Sequence, residues 1–274
     1  MRFRPAASAT ALLVATALTP VSTAGAADVV TWAPADFAAI HPGVQTVLES
    51  SGAQCTGNFI YRDKAGGVYL GQASHCTSEA GELSGSGCAT TSSPLGTEVT
   101  VGDTGVKGTL AYSSWLTMQK LGEKDDATCF NNDFALVKLP ATAVSQVNPS
   151  EPVFGGPVGV ATGELPEGTP VEGIGSSGLR GGYNVLSAQR GLIIVSDPSG
   201  WYYEAYLVPP GVPGDSGGGY LDDQGRAFGV LVSVNTVPPG SNTMIDLGRA
   251  LAYAQAHSGI KGLELVPGTE SFSG

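Results

Sequence analysis

The chain has 274 residues, 42% of them hydrophobic, which suits one large domain or two small ones with a sizeable buried core. Only 14% are charged, while glycine numbers 40 and proline 18, a composition that disfavours long helices and suits many short strands separated by turns. The formal net charge of -11 repels nucleic-acid phosphates and anionic lipid, so neither is an expected partner.

The N-terminus reads as a targeting segment. Arg2 and Arg4 precede a short apolar run, Ala11 to Leu18, that is too short to span a bilayer. Pro20 ends it, and Ala24-Gly25-Ala26 fits the small-x-small cleavage rule, so residues 1–26 are expected to be a signal peptide. Residues 27–44 are Ala/Pro-rich and read as a short leader or N-terminal strap. In 45–147, strands are predicted at Thr46–Leu48, Asn58–Arg62, Gly67–Gln72, Glu98–Val101, Thr109–Ser113 and Phe134–Leu139, with turn clusters at Asp63–Gly67 and Gly81–Gly87. A Pro/Gly-rich stretch, Asn148–Gly168, divides the chain, and a second set of strands fills the rest of 148–246: Pro170–Ile174, Asn184–Ser196, Tyr202–Val208, Gly218–Leu221, Ala227–Ser233 and Asn242–Ile245. Many short strands without helical spacers predict an all-β protein of antiparallel barrels or sandwiches. One helix is predicted in 247–274. Leu247, Ala250, Leu251 and Ala254 fall on one face, Asp246 caps the start, and Gly259 ends it before a loose tail.

The four cysteines, Cys55, Cys76, Cys88 and Cys129, all follow the targeting segment. An even count in an exported chain implies two disulfides in one of three connectivities. The adjacent His75 and Cys76 cannot easily share one tetrahedral ion, so no metal site is expected, and no cofactor is implied.

Three motifs carry chemistry. Gly214-Asp215-Ser216-Gly217-Gly218 puts a serine on a tight turn whose backbone N–H groups can face a developing oxyanion. Ala73-Ser74-His75-Cys76 puts a histidine at the end of a strand. Asn132-Asp133-Phe134-Ala135-Leu136-Val137 puts a carboxylate at the start of an apolar strand, where it can hold a histidine tautomer. His41, before Pro42, and His257, at the helix end, have no such context and read as structural.

In this order, His75, Asp133 and Ser216 resemble the catalytic triad of the chymotrypsin family of serine peptidases, of the secreted bacterial type, over about 45–258. The resemblance implies two six-stranded antiparallel β-barrels with a C-terminal helix. It also implies an oxyanion hole of the Gly214 and Ser216 N–H groups, a Cys55–Cys76 disulfide beside the histidine, and Cys88–Cys129 as the second bridge. Ser233 would support Asp133, and its strand, with Val234 and Asn235, would run beside the substrate; Pro210 would fall at the base of the specificity pocket. No animal-type Ile-Val-Gly-Gly start is present to pair with Asp215, so Arg180 or Arg190 is the expected partner. The implied function is a secreted, extracellular and monomeric endopeptidase. It would act on protein or peptide substrates through an acyl-enzyme, with no membrane association once the signal is cleaved. The alternative is a catalytically inert binding module on the same fold.

Overall fold

The computed structural model describes Met1 and residues 30–78, 85–181, 186–237 and 240–274. The expected signal peptide lies outside the described residues, apart from Met1, as do parts of the 81–87 turn and of the 184–196 strand.

The first half forms β1 (Gln45–Leu48), β2 (Gln54–Thr56), β3 (Ile60–Arg62), β4 (Val68–Gln72), β5 (Glu98–Val101), β6 (Val106–Ser113) and β7 (Ala135–Lys138). The second half adds β8 (Gly159–Val160), β9 (Pro170–Ile174), β10 (Ala188–Ser196), β11 (Tyr202–Val208), β12 (Gly219–Asp222), β13 (Arg226–Asn235) and β14 (Ser241–Asp246), followed by β15 (Glu264–Leu265). The second sheet closes: β12-β9-β10-β11-β14-β13 returns from β13 to β12, giving the expected six-stranded antiparallel barrel, with β8 added in parallel to β13. The first sheet, in the order β15-β3-β4-β7-β6-β5-β1-β2, curls without closing. Strand β3 already pairs with β4 on one side and β15 on the other, so it has no free edge for β2.

Helix α3 (Leu247–His257) matches its sequence signals. The Asp246 carboxylate accepts from Arg249 N at 2.7 Å, and Leu247, Ala250, Leu251 and Ala254 are buried. Two short helices between β6 and β7 depart from the expectation of a single helix. Helix α1 (Ser114–Leu121) is capped by Ser113 and ends at the left-handed Gly122, and α2 (Asp126–Asn131) is capped by Asp125. Together they carry the chain from the edge of β6 back to Asp133.

Both halves share one core. Phe59, Tyr61, Phe134 and Leu136 of the first half pack in the same cluster as Ile174, Leu221, Val230 and Ile245 of the second and the apolar face of α3. A continuous apolar seam holds two domains in a fixed relation, which a cleft built from both requires. The residues after Gly259 are not the loose tail expected. Leu265 pairs with Tyr61, and Gly156 N donates to Glu270 O at 3.0 Å. Ser273 N donates to Phe154 O at 2.8 Å, so the tail straps the first sheet to the divider between the halves.

Candidate active site

His75 leaves β4 in a single 3₁₀ turn, Ser74–Thr77, whose four residues are all buried. Its backbone N–H donates to Asp133 Oδ1 at 2.8 Å, and its Nδ1 meets Asp133 Oδ2 at 2.6 Å. The two contacts fix both the position of the ring and its tautomer, with the proton on Nδ1. His75 Nε2 is buried and has no hydrogen-bond partner among the described residues.

A hydroxyl cluster behind this pair holds the backbone on either side of Asp133. Ser74 Oγ donates to Phe134 O at 2.8 Å, Ser114 Oγ donates to Asn132 O at 2.6 Å, and Phe134 N donates to Ser114 Oγ at 3.1 Å. Ser74 and Ser114 are fully buried, which makes each of these bonds costly to lose.

Ser216 comes from the turn that enters β12 and lines a cavity of about 240 Å³ together with His75 and Gly214. Its loop is clamped from the first sheet. Thr56 N donates to Ser216 O at 2.8 Å, Thr56 Oγ1 to Gly214 O at 2.9 Å, and Asn58 Nδ2 to Gly217 O at 3.1 Å. Gly217 has φ +91°, and a Cβ there would lie 2.4 Å from Thr56 O, so this close approach of the two halves requires glycine. Among the described residues the Gly214 and Ser216 N–H groups have no hydrogen-bond partner, and both residues line the cavity. A carbonyl oxygen that gains negative charge there would find two donors with no competing acceptor.

Asp215 is fully buried behind the loop. Arg180 Nε donates to its Oδ1 at 3.1 Å, Arg180 Nη2 bonds Oδ2, and Val212 N and Ser177 N donate at 2.9 and 3.0 Å. Of the two arginines expected from the sequence, Arg180 is the partner. Arg190 instead pairs with Glu172 at 3.0 Å and lies over the Phe154 ring.

The disulfides join Cys55 to Cys76 and Cys88 to Cys129, as the resemblance implies. Cys55, His75 and Cys76 form a tight cluster of metal-ligand types, but the two sulfurs are bonded to each other and are not thiolate ligands.

Neither a protein-family model nor a curated protein sequence matches the chain. Two solved bacterial structures superpose on it. Thermobifida fusca protease A is 20% identical with a TM-score of 0.53, over 84% of this chain and 100% of that one. Nocardiopsis protease is 19% identical with a TM-score of 0.50, over 82% and 98%. The chain has the chymotrypsin fold.

Within the chymotrypsin fold, three expectations for the substrate side need correction, and two of them share a cause in β13. Ser233 does not reach Asp133; its hydroxyl donates to Thr243 Oγ1 at 2.9 Å on the exposed face. The register of β13 on β14 shifts between Leu231 and Ser233, and a one-residue slip turns each following side chain to the other face. Val232 consequently packs against Cys55, Ala73 and Cys76 beside the histidine turn. Asn235 does not line the cavity of Ser216; its Oδ1 accepts from Val237 N at 3.0 Å in a turn, and Val234 lines the cavity instead. Pro210 is likewise displaced. Gly211 lines the cavity, whereas Pro210 and Asn235 line an adjoining one of about 550 Å³, and Pro210 O accepts from Arg180 Nη2 at 3.0 Å. His41 and His257 lie away from the site; His41 is held by Pro42 O, and His257 stacks on Tyr253.

Thr56, Asn58, Ser114 and Ser177 escaped the sequence reading. Their only signal is a polar residue beside an apolar strand or in a short loop, and their roles depend on partners far away in the chain.

Proposed function

We propose that the protein is a secreted serine endopeptidase that cleaves peptide bonds through His75, Asp133 and Ser216. The observation that carries this reading is the placing, in one cavity, of Ser216, a histidine held by a buried carboxylate, and two N–H groups without partners. Ser216 Oγ attacks the scissile carbonyl while His75 Nε2 takes its proton, and the same proton then goes to the leaving amine. Water hydrolyses the acyl-enzyme by the same route. The Gly214 and Ser216 N–H groups take the oxyanion, each such donor being worth about 3 kcal/mol in the transition state. Asp133 orients the ring and balances the imidazolium. The two disulfides, and the absence of any described helix long and apolar enough to cross a membrane, are in keeping with export.

The cavity wall supports a preference on the acyl side of the cut. Beyond His75 and Ser216 it is mainly apolar, with Gly211, Val212, Pro213, Leu231, Val232 and Val234; Gln54, Ser78 and Ser233 are neutral polar members, and no carboxylate, Lys or Arg lines it. Asp215 and Arg180 neutralise each other behind that wall. A charged side chain entering would lose its water without gaining a partner, so an apolar residue fits and Lys, Arg, Asp or Glu does not. Labelling of the wild type and of Ser216→Ala with a fluorophosphonate probe, followed by cleavage of a peptide library, tests the reading. Labelling only of the wild type, with cuts after apolar residues, is expected. An unlabelled wild type that cleaves nothing would mark a binding module on a protease fold.

A further inference from the structure

The oxyanion donor at Gly214 belongs to the peptide that joins it to Pro213, and that peptide has a lock of its own. A trans peptide points its C=O and N–H in opposite directions, so fixing one fixes the other. The 213–214 bond is not among the cis peptides. Its carbonyl, Pro213 O, accepts from Ser177 Oγ at 2.5 Å, and Ser177 does not line the cavity that Gly214 and Ser216 share. Ser177 lies directly against the loop, since a Cβ on Gly214 would come within 2.8 Å of Ser177 Oγ.

Ser177 is in turn held firmly. Its N–H donates to Asp215 Oδ1 at 3.0 Å, its Oγ accepts from Leu179 N at 3.1 Å, and it is buried. The same five-residue loop, 176–180, supplies Arg180 to Asp215. The neighbouring peptide needs no such help: Asp215 O accepts from Gly218 N at 3.0 Å inside the turn, which aims the Ser216 N–H outward. The 213–214 peptide is the central one of a turn closed by Asp215 N donating to Val212 O at 2.9 Å, a closure that either orientation of that peptide permits, and with Gly214 at φ +97° and without a side chain the peptide can turn over easily.

We propose that Ser177 is a positioning residue that keeps the 213–214 peptide turned so that the Gly214 N–H faces the cleft. Through its bonds to Asp215 it couples the Asp215–Arg180 ion pair to the oxyanion hole. The hole is thereby set by an internal loop, with no new N-terminus required. This assignment rests on the proposed peptidase reading for its catalytic consequence, but the peptide orientation can be observed without any turnover.

The test compares Ser177→Ala with the wild type in three ways. A crystal structure of the variant is expected to show the 213–214 peptide turned over or split between two orientations. In kinetics, kcat should fall by roughly 10- to 1,000-fold, bounded by the outright loss of one oxyanion donor, with KM changed less than about twofold. In the infrared spectrum of a slowly hydrolysing acyl-enzyme, the ester carbonyl should move to higher frequency as it loses a donor, which a general loosening of the fold would not produce. A variant that keeps the peptide orientation of the wild type overturns the proposal, as does full kcat with an unmoved carbonyl band. If the wild type neither acylates nor cleaves, the peptidase reading fails, and the crystal structure alone decides the role of Ser177.

Discussion

The loop that carries Asp133 and the loop that carries Asp215 each bury a carboxylate, and they satisfy it in opposite ways. Asp215 receives donors from Arg180, Ser177, Val212 and Gln189, one of them a permanent cation. Among the described residues Asp133 receives two, both from His75. The first arrangement saturates the charge and turns it into an anchor for the Ser216 loop. The second leaves the carboxylate with one backbone N–H and one imidazole ring, both of His75, and no permanent cation. A third carboxylate, Glu151, extends the comparison. It is buried, Oε2 has no hydrogen-bond partner among the described residues, and burial together with the nearby Glu172 pushes its pKa well above the ordinary glutamate value.

The largest expected effect breaks the Asp133 side. Asp133→Asn should lower kcat about 10⁴-fold, the size found for the matching change in the best-studied triad protease, because the amide no longer favours the productive tautomer. Its thermal midpoint should stay within a few degrees of the wild type, since no cation is left unpaired. A variant losing less than tenfold in kcat would remove Asp133 from the mechanism. On the Asp215 side the order reverses. Arg180→Met strands a buried carboxylate and should cost about 3 to 5 kcal/mol in a urea unfolding curve. Stability unchanged within about 0.5 kcal/mol would mean that Asp215 is anchored by its backbone donors alone.

Glu151 sharpens the comparison with the smallest effect. A carboxyl with a raised folded pKa favours the native state fully below its unfolded value, near ~4.3, and that contribution is lost as pH rises above it. Glu151→Gln has no proton to lose, so its melting temperature should exceed the wild-type value at neutral pH, and its decline between pH 4.5 and 7 should be shallower. Parallel curves for the two proteins would show that Glu151 is not held protonated.

The sequence made the motifs legible where geometry forces residue type. Gly217 must be glycine because Thr56 O leaves no room for a Cβ, and Asp246 and the Leu247–Ala254 face announce α3 through cap and period. What stayed hidden depended on partners or on register. Ser233 reads as the supporting serine until the slip in β13 places it against Thr243. Arg180 finds Asp215 across 35 residues, with no local pattern to mark it. Helices α1 and α2, at 8 and 6 residues, are too short to show a clear period, although their caps are present in the sequence. Strand β15 has only two residues and is defined by its pairing.

That last strand has a consequence for the order of assembly. Arg62 and Glu264, paired where β15 meets β3, are separated by 202 residues. The first half of the chain therefore lacks one edge of its sheet until nearly everything else has been synthesised. Closing so long a loop is slow, and until it closes β3 exposes an unpaired edge open to other chains. An intermediate in which β15 has not yet paired would hold the two halves by their shared core alone, without the added strap. The late strand thus doubles as a cover for an edge that would otherwise be free to pair with other molecules.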